Sequence, residues 1–181
     1  MANFVALLRG VNVGTAKRLP MAELRALLAE LGYSDVRTLL NSGNAVFASP
    51  VRSTTTHAAR IQTAMAVNLG VETPVIVKSA KEIAAIESGN ALATFVTDPS
   101  RLLVAFTRSG TDLQALAALV QFLHPPEQLH VGPHAAYLWC ANGILQSKAG
   151  AALLGKHGRA ATTRNWATLL KISGILRQNA A

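Results

Sequence analysis

The chain has 181 residues, half of them hydrophobic, and a formal net charge of +8. This apolar content excludes a disordered chain, and no apolar run approaches the roughly 20 residues that a membrane span requires. A single cysteine, Cys140, excludes an intramolecular disulfide framework and favours a cytoplasmic location. The first apolar run has neither a basic leader nor a cleavage site, so it predicts a strand and not a signal peptide.

The positive charge is spread unevenly. Residues 1–90 carry nine Lys or Arg and six Asp or Glu, whereas residues 91–181 carry eight and three. Beyond Glu127 there are six cations and no carboxylate. Positive charge without acidic neighbours attracts phosphate, nucleic acid or another anionic surface. The alternative is a solvated basic surface that only keeps the protein soluble.

The first half of the chain predicts a β-α-β-β-α-β order. Two short β-prone runs flank the turn residues 41–44, where Gly, Asn and Ser favour a tight hairpin connection. Apolar residues at helical spacing predict the helices, and Pro74 suggests that the last strand lies at a sheet edge. The predicted elements are strands at 4–8, 36–40, 45–47 and 75–77 and helices at 21–31 and 56–69.

The second half predicts a shorter β-α-β-β unit. A strand at 102–107 precedes a helix that opens with a capping box at Thr111 and Gln114. A second hairpin and two helical segments follow, at 128–131, 135–140, 148–154 and 164–177. The fold class predicted is α+β with two subdomains, the first ferredoxin-like over residues 1–90 and the second over 91–181, with its basic C-terminal helices packing back on the first.

The chain also resembles a bacterial family labelled domain of unknown function 1697. The resemblance rests on residues 7–14, 20–25, 36–38 and 42–44, and near the end on residues 137–139, 147–148 and 163–166. It implies an α+β fold of two subdomains, the first ferredoxin-like. It implies no activity.

The loop that follows the first strand is a candidate phosphate site. Its glycines, Gly10 and Gly14, allow backbone N–H groups to face an anion, with Lys17 or Arg18 supplying charge. The spacing matches neither a P-loop nor a dinucleotide fingerprint. An ordinary strand-to-helix connection is the alternative.

Two helix starts in the C-terminal part suggest a second anion site. Ser147 and Thr163 are good N-cap residues, which places Lys148 and Arg164 in first helical turns. A cation there opposes the helix dipole, and a bound anion would remove that conflict. The alternative is that both side chains point away or pair with a distant carboxylate.

These observations predict a basic cleft between the subdomains that binds a phosphate-bearing ligand, either a nucleotide or a nucleic acid. Two alternatives are an enzyme acting on a small anionic metabolite and a non-catalytic scaffold. No catalytic residue, cofactor, metal or membrane partner is predicted, and the oligomeric state stays open. The predicted anion-binding residues are Arg9, Asn12, Lys17, Arg37, Ser42, Asn44, Lys148, Arg164 and Asn165.

Other chemistry-bearing side chains are assigned to structure. The spacing of His124, His130 and His134 fits no strong zinc pattern. Cys140 ends an apolar strand, where a cysteine is usually a small core residue. Trp139 and Trp166 sit at core-like spacing.

Overall fold

The computed structural model describes residues 1–14 and 18–179. The chain divides into two compact units: unit 1 comprises Met1–Ile83 with Ile172–Ala181, and unit 2 comprises Ala84–Lys171. The predicted α+β class with two subdomains is confirmed. The first division between the units falls after Ile83, and residues 172–179 belong to unit 1.

Unit 1 contains the predicted β-α-β-β-α-β order. Its strands form one sheet in the order β2-β3-β1-β4, and every neighbouring pair is antiparallel. The strand after Pro74 is at the sheet edge, as predicted. The elements are β1 (Ala2–Leu8), α1 (Met21–Glu30), β2 (Ser34–Leu39), β3 (Asn44–Ser49), α2 (Thr54–Leu69) and β4 (Val75–Ser79), followed by α3 (Ala80–Ser88).

Capping residues mark the ends of helices α2 and α3 in unit 1. Ser53 caps α2 by accepting a hydrogen bond from the Thr56 amide at 3.2 Å, and Gly70 ends it with a φ of 60°. Positive φ is the backbone conformation that glycine adopts at low cost after a helix. Ser79 and Glu82 form a capping box at the start of α3, with reciprocal bonds of 2.8 and 3.2 Å.

One face of this sheet packs against α1 and α2 to form the core of unit 1. Leu24 and Leu28 of α1 and Ile61 and Met65 of α2 are completely buried there. The helical spacing of these four residues explains why the sequence predicted both helices well.

Unit 2 also has a four-stranded antiparallel sheet, in the order β6-β7-β5-β8. Its core lies between this sheet and the helices α4 and α5, with Leu103, Leu113, Leu138 and Leu153 among the buried residues. The elements are β5 (Leu102–Thr107), α4 (Gly110–Ala115) continued by a 3₁₀ helix (Leu116–Phe122), β6 (Gln128–Val131), β7 (Ala136–Trp139), α5 (Lys148–Leu154), β8 (Ala161–Asn165) and α6 (Trp166–Gln178).

Two predicted helix starts in unit 2 were wrong. Ser109, and not Thr111, caps α4, because its hydroxyl accepts a hydrogen bond from the Asp112 amide at 3.1 Å. The last helix begins at Trp166 and not at Arg164, because residues 161–165 form strand β8 along β5. With β8 present, the strand order of unit 2 repeats that of unit 1: second, third, first and fourth strand.

Within the described residues, no helix combines the length and the apolar character that a bilayer crossing demands.

Candidate functional site

A pocket of about 390 Å³ lies in unit 1 where the loop after β1, the start of α1 and the β2–β3 turn come together. Polar side chains and the apolar residues just before α1 share its wall. No carboxylate is among the described residues that line it, which are Asn12, Gly14, Arg18, Leu19, Pro20, Met21 and Asn41. Its only charged side chain among them is the exposed Arg18.

Asn12 holds the three segments of this pocket together. Its Nδ2 donates to the carbonyl oxygens of Leu19 at 2.8 Å and of Asn41 at 2.7 Å. Its Oδ1 accepts from the Leu19 amide at 2.7 Å. The sequence proposed Asn12 as a ligand group, but these bonds use both amide hydrogens and the oxygen. Asn12 therefore shapes the pocket, and its two donor hydrogens are committed to the protein.

Three residues of the β1–α1 loop have left-handed backbone. Gly10, Asn12 and Gly14 have φ values of 63°, 56° and 55°, whereas Val11 and Val13 do not have positive φ. Where right-handed helical residues alternate with left-handed ones, successive N–H groups face one side of the chain and form anion-binding concavities. Gly10 and Gly14 therefore supply left-handed residues that such a loop requires.

Helix α1 starts at the pocket. Pro20 is its N-cap residue and makes no side-chain capping bond, and the Glu23 amide donates to the Pro20 carbonyl at 3.0 Å. The first N–H groups of a helix have no intrahelical acceptor, and the helix dipole places partial positive charge around them. Glu23 is the acidic residue of this turn, and its side chain is exposed.

The β2–β3 turn is fixed by its own side chains. Asn44 is fully buried, and its Nδ2 donates to the Leu39 carbonyl at 2.9 Å and to Ser42 Oγ at 3.0 Å. Gly43 has a φ of +78°, and a Cβ there would lie 2.6 Å from Val11 Cγ2 and 2.7 Å from Leu8 Cβ. Ser42 and Asn44, which the sequence proposed as ligand groups, thus have a role in the turn itself.

Arg9 and Arg37, which were also predicted in unit 1, are not among the described residues that line the pocket. Arg9 follows β1, where its amide donates to the Pro74 carbonyl at 3.1 Å and its carbonyl accepts from the Thr73 hydroxyl. Arg37 is exposed on β2 and pairs with Val46 of β3. Lys17 lies outside the described residues.

In unit 2, the predicted cap at Ser147 is confirmed. Its Oγ accepts a hydrogen bond from the Gly150 amide at 2.8 Å, and Lys148 is the exposed first residue of α5. Because α5 has only seven residues, few peptide dipoles add up at its N-terminus.

The second predicted helix start was wrong in its details. Thr163 and Arg164 are part of β8, and Asn165 caps α6 by accepting from the Thr168 amide at 2.9 Å. Arg164 is 8% exposed, and its Nη1 donates to the Thr163 carbonyl at 2.7 Å. Burial lowers the pKa of its guanidinium to about 10. Arg164 therefore belongs to a strand and not to the first helical turn in which the sequence placed it.

The side chains assigned to structure have the expected burial. Cys140, Trp139 and Trp166 are buried, and burial raises the pKa of the Cys140 thiol. Among the described residues, no group of three or more His, Cys, Asp or Glu side chains is placed to hold a metal ion.

The structure thus adds Arg18 and Asn41 to the candidate site and groups them with Asn12. The sequence mentioned Arg18 only as a possible charge for the loop, and it treated Asn41 only as a turn residue. The signal that the two residues share is a position at the edge of a loop: Arg18 lies near the end of the loop before the first predicted helix, and Asn41 begins the turn after a predicted strand. Their proximity depends on the fold.

The fold places this chain among α+β proteins that have two units with the same strand order. In this chain the first unit has a polar pocket between its β1–α1 loop and its hairpin. The chain belongs to the family described as "Protein of unknown function (DUF1697)", whose model matches residues 1–137. This match includes every residue that lines the pocket and excludes Lys148, Arg164 and Asn165.

A solved structure has the same fold over nearly the whole chain. The conserved bacterial protein SP0830 from Streptococcus pneumoniae is 28% identical, with a TM-score of 0.79. The similarity covers 97% of this chain and 98% of that one. No curated protein matches the sequence.

Proposed function

We propose that this protein binds a phosphate-bearing ligand, a nucleotide or a nucleic acid segment, and that the pocket at the start of α1 receives the phosphate. The observation that carries the proposal is the combination of Arg18 with an uncapped helix start in a pocket whose described lining has no carboxylate. A phosphate there would meet a guanidinium and helix N–H groups at once, which is a favourable setting for an anion.

The backbone of the β1–α1 loop adds a second kind of donor. The loop has left-handed backbone at Gly10, Asn12 and Gly14, which is one requirement for a loop that turns its N–H groups to one side. Because Asn12 fixes this loop to Leu19 and Asn41, the donors are held in place before a ligand arrives. Such preorganisation lowers the entropic cost of binding.

The bulk charge supports an anionic partner. The chain carries +8, and exposed cations such as Lys148, Lys156 and Lys171 follow the last carboxylate at Glu127. A field of one sign raises the local concentration of anions and speeds their association. We also propose a cytoplasmic location, which suits a protein with one buried cysteine.

The size of the pocket favours a small ligand or one segment of a larger one. Its volume of about 390 Å³ is near the lower end of the roughly 300–1,000 Å³ typical of ligand sites. Among its described lining residues, none is a His, Cys, Asp or Glu that would act as a general base. Binding is therefore better supported than catalysis on a small anionic metabolite.

Calorimetric titration with mononucleotides and short oligonucleotides tests the proposal. We expect Arg18→Ala to weaken binding at least tenfold, because it removes the charged group of the pocket. Arg52→Ala is the matched control: it removes the same charge from an exposed position beyond the opposite end of β3, and binding should be unchanged. Equal weakening by both variants would mean that binding depends only on the net charge of the protein and not on the pocket.

The salt dependence of the affinity distinguishes binding of a nucleic acid from binding of a mononucleotide. Binding of an oligonucleotide along a basic surface should fall steeply between low and moderate salt, because each neutralised phosphate releases counterions. A mononucleotide held by Arg18 and a helix start should show a much shallower dependence. No heat of binding with either ligand at low salt would refute the proposed function.

A further inference from the structure

Two apolar side chains next to the pocket are exposed to water. Val13 is 63% exposed and Leu40 is 49% exposed. Val13 follows Asn12 in the loop, and Leu40 precedes Asn41 in the turn. Since Asn12 Nδ2 bonds to the Asn41 carbonyl at 2.7 Å, a side-chain hydrogen bond ties the loop segment that carries Val13 to the turn that carries Leu40.

Leu40 is an unusual residue for its position. Its φ is 57°, in the left-handed region that Gly and Asn adopt more readily. A branched apolar residue in this conformation destabilises the folded state relative to Gly or Asn. The exposed part of the Leu40 side chain makes no packing contact that would offset this cost. Contact with another molecule would recover free energy by covering that surface.

The pocket wall itself also has two chemical parts. Arg18, Asn12 and Asn41 contribute polar groups, whereas Leu19, Pro20 and Met21 contribute apolar surface. Inorganic phosphate or a sugar phosphate would satisfy only the polar part. A ligand that satisfies both parts needs a phosphate and a flat apolar group at a short distance from each other.

We propose that the pocket selects nucleoside monophosphates, with the phosphate near Arg18 and one face of the base covering Val13 and Leu40. The inference rests on the proposed function and adds the class of ligand to it. A base has two apolar faces and a polar edge, so its face can cover exposed leucine and valine while its edge stays in water. Recognition through a face is tolerant of the identity of the base.

Calorimetric titration at constant ionic strength with adenosine monophosphate, ribose 5-phosphate and inorganic phosphate tests this inference. The wild-type protein should bind adenosine monophosphate about tenfold more tightly than ribose 5-phosphate. Leu40→Asn should remove most of this preference and leave the affinity for ribose 5-phosphate unchanged. Asn tolerates a positive φ, so this variant keeps the turn.

Val13→Ser is a second variant that removes apolar surface from the loop side, and it should also reduce the preference. The matched control is Val67→Ser, which changes a valine that is 75% exposed on α2, away from the pocket lining. That variant should keep the full preference for adenosine monophosphate.

The outcomes separate the two proposals. If ribose 5-phosphate and adenosine monophosphate bind equally and Arg18→Ala weakens both, the pocket holds phosphate but the inference about the base is wrong. A preference that persists in both Leu40→Asn and Val13→Ser also overturns it. If none of the three probes binds, the proposed function fails as well.

Discussion

The Tyr33 hydroxyl donates a hydrogen bond to Nδ1 of His57 at 2.9 Å in the interior of unit 1. The other ring nitrogen of His57 lies 2.9 Å from the Val51 carbonyl, which can only accept, so the proton is on Nε2 and Nδ1 is the acceptor. Phe4 and Phe47 pack against the imidazole with centroid distances of 4.7 and 5.3 Å. A polar pair is thus enclosed by aromatic rings.

Tyr33→Phe should destabilise the protein by about 1–3 kcal/mol, because it leaves a buried acceptor on His57 without a donor. The change in the urea midpoint measures this. In a His57→Leu background, where the acceptor is already absent, the same substitution should cost markedly less. Equal costs in both backgrounds would show that the hydrogen bond contributes nothing.

Gly43→Ala should destabilise unit 1 more than Gly32→Ala does. Both glycines have positive φ, +78° and +81°, so both variants incur the left-handed penalty of about 1–2 kcal/mol. Only at Gly43 would the new Cβ collide with Leu8 and Val11, which should add about 1–3 kcal/mol. Urea unfolding of the two variants isolates this close approach, and equal losses would contradict it.

Asn165→Ala should destabilise the protein by about 1 kcal/mol through loss of the cap on α6. Asn165→Asp should restore most of that loss, because aspartate is an equally good cap residue. If Thr163→Ala proved the costlier of the two alanine variants and Asn165→Asp restored nothing, the helix would start where the sequence placed it. Thermal unfolding of the three variants provides the comparison.

The stability of the protein should decrease at high pH through Tyr137. Its hydroxyl is buried and donates to the Ile86 carbonyl at 2.5 Å, and burial raises its pKa from 10.0 to about 12. The unfolded chain ionises near pH 10 while the folded chain keeps its proton. The stabilisation is therefore complete below pH 10 and is lost as the pH rises toward 12.

Tyr137→Phe removes this titration. We expect the difference in unfolding free energy between wild type and Tyr137→Phe to shrink from pH 10 to pH 12 by on the order of 2 kcal/mol. Burial lowers the pKa of Arg164 to about 10, which acts in the opposite direction but is common to both proteins. Urea unfolding at pH 8, 10, 11 and 12 measures the trend, and a constant difference would contradict it.

Glu23→Gln should tighten phosphate binding about twofold to fivefold, because a charge at a helix start contributes about 0.3–1 kcal/mol. Its carboxylate is in the first turn of α1, next to the proposed phosphate position. Glu30→Gln is the matched control, since it removes the same charge about 10 Å further along the helix. Calorimetry with a mononucleotide compares them, and tightening of equal size in both would indicate net charge alone.

The elements of unit 1 could be predicted because their signals are local. The helical spacing of Leu24 and Leu28, the glycine after α2 and the turn residues around Gly43 each act over a few positions. Such short-range preferences are present in the sequence whatever the rest of the chain does.

Strand β8 could not be predicted, because its conformation comes from a partner distant in sequence. The segment Ala161–Asn165 has little apolar alternation, and its strand structure depends on pairing with β5. Both Thr163 and Asn165 are good cap residues ahead of Trp166. Sequence alone therefore placed the helix start two residues too early, and it put Arg164 in a helix instead of a sheet.

The candidate site was only partly predictable for a similar reason. The glycines of the β1–α1 loop pointed to the right segment, but Asn12 uses its amide groups on Leu19 and Asn41, and the latter is 29 positions away. Contacts of this range depend on register and packing. Arg18 gains its importance only when those contacts close the pocket around it.

The way unit 1 is divided along the chain bears on how the protein matures on the ribosome. Residues 84–171 form unit 2 without interruption, whereas unit 1 draws on segments to either side of them. Synthesis proceeds from the amino terminus, so the later-encoded unit has all its parts before the earlier one does. For a while the nascent first unit must persist without its last helical turns, exposing surface that they will cover.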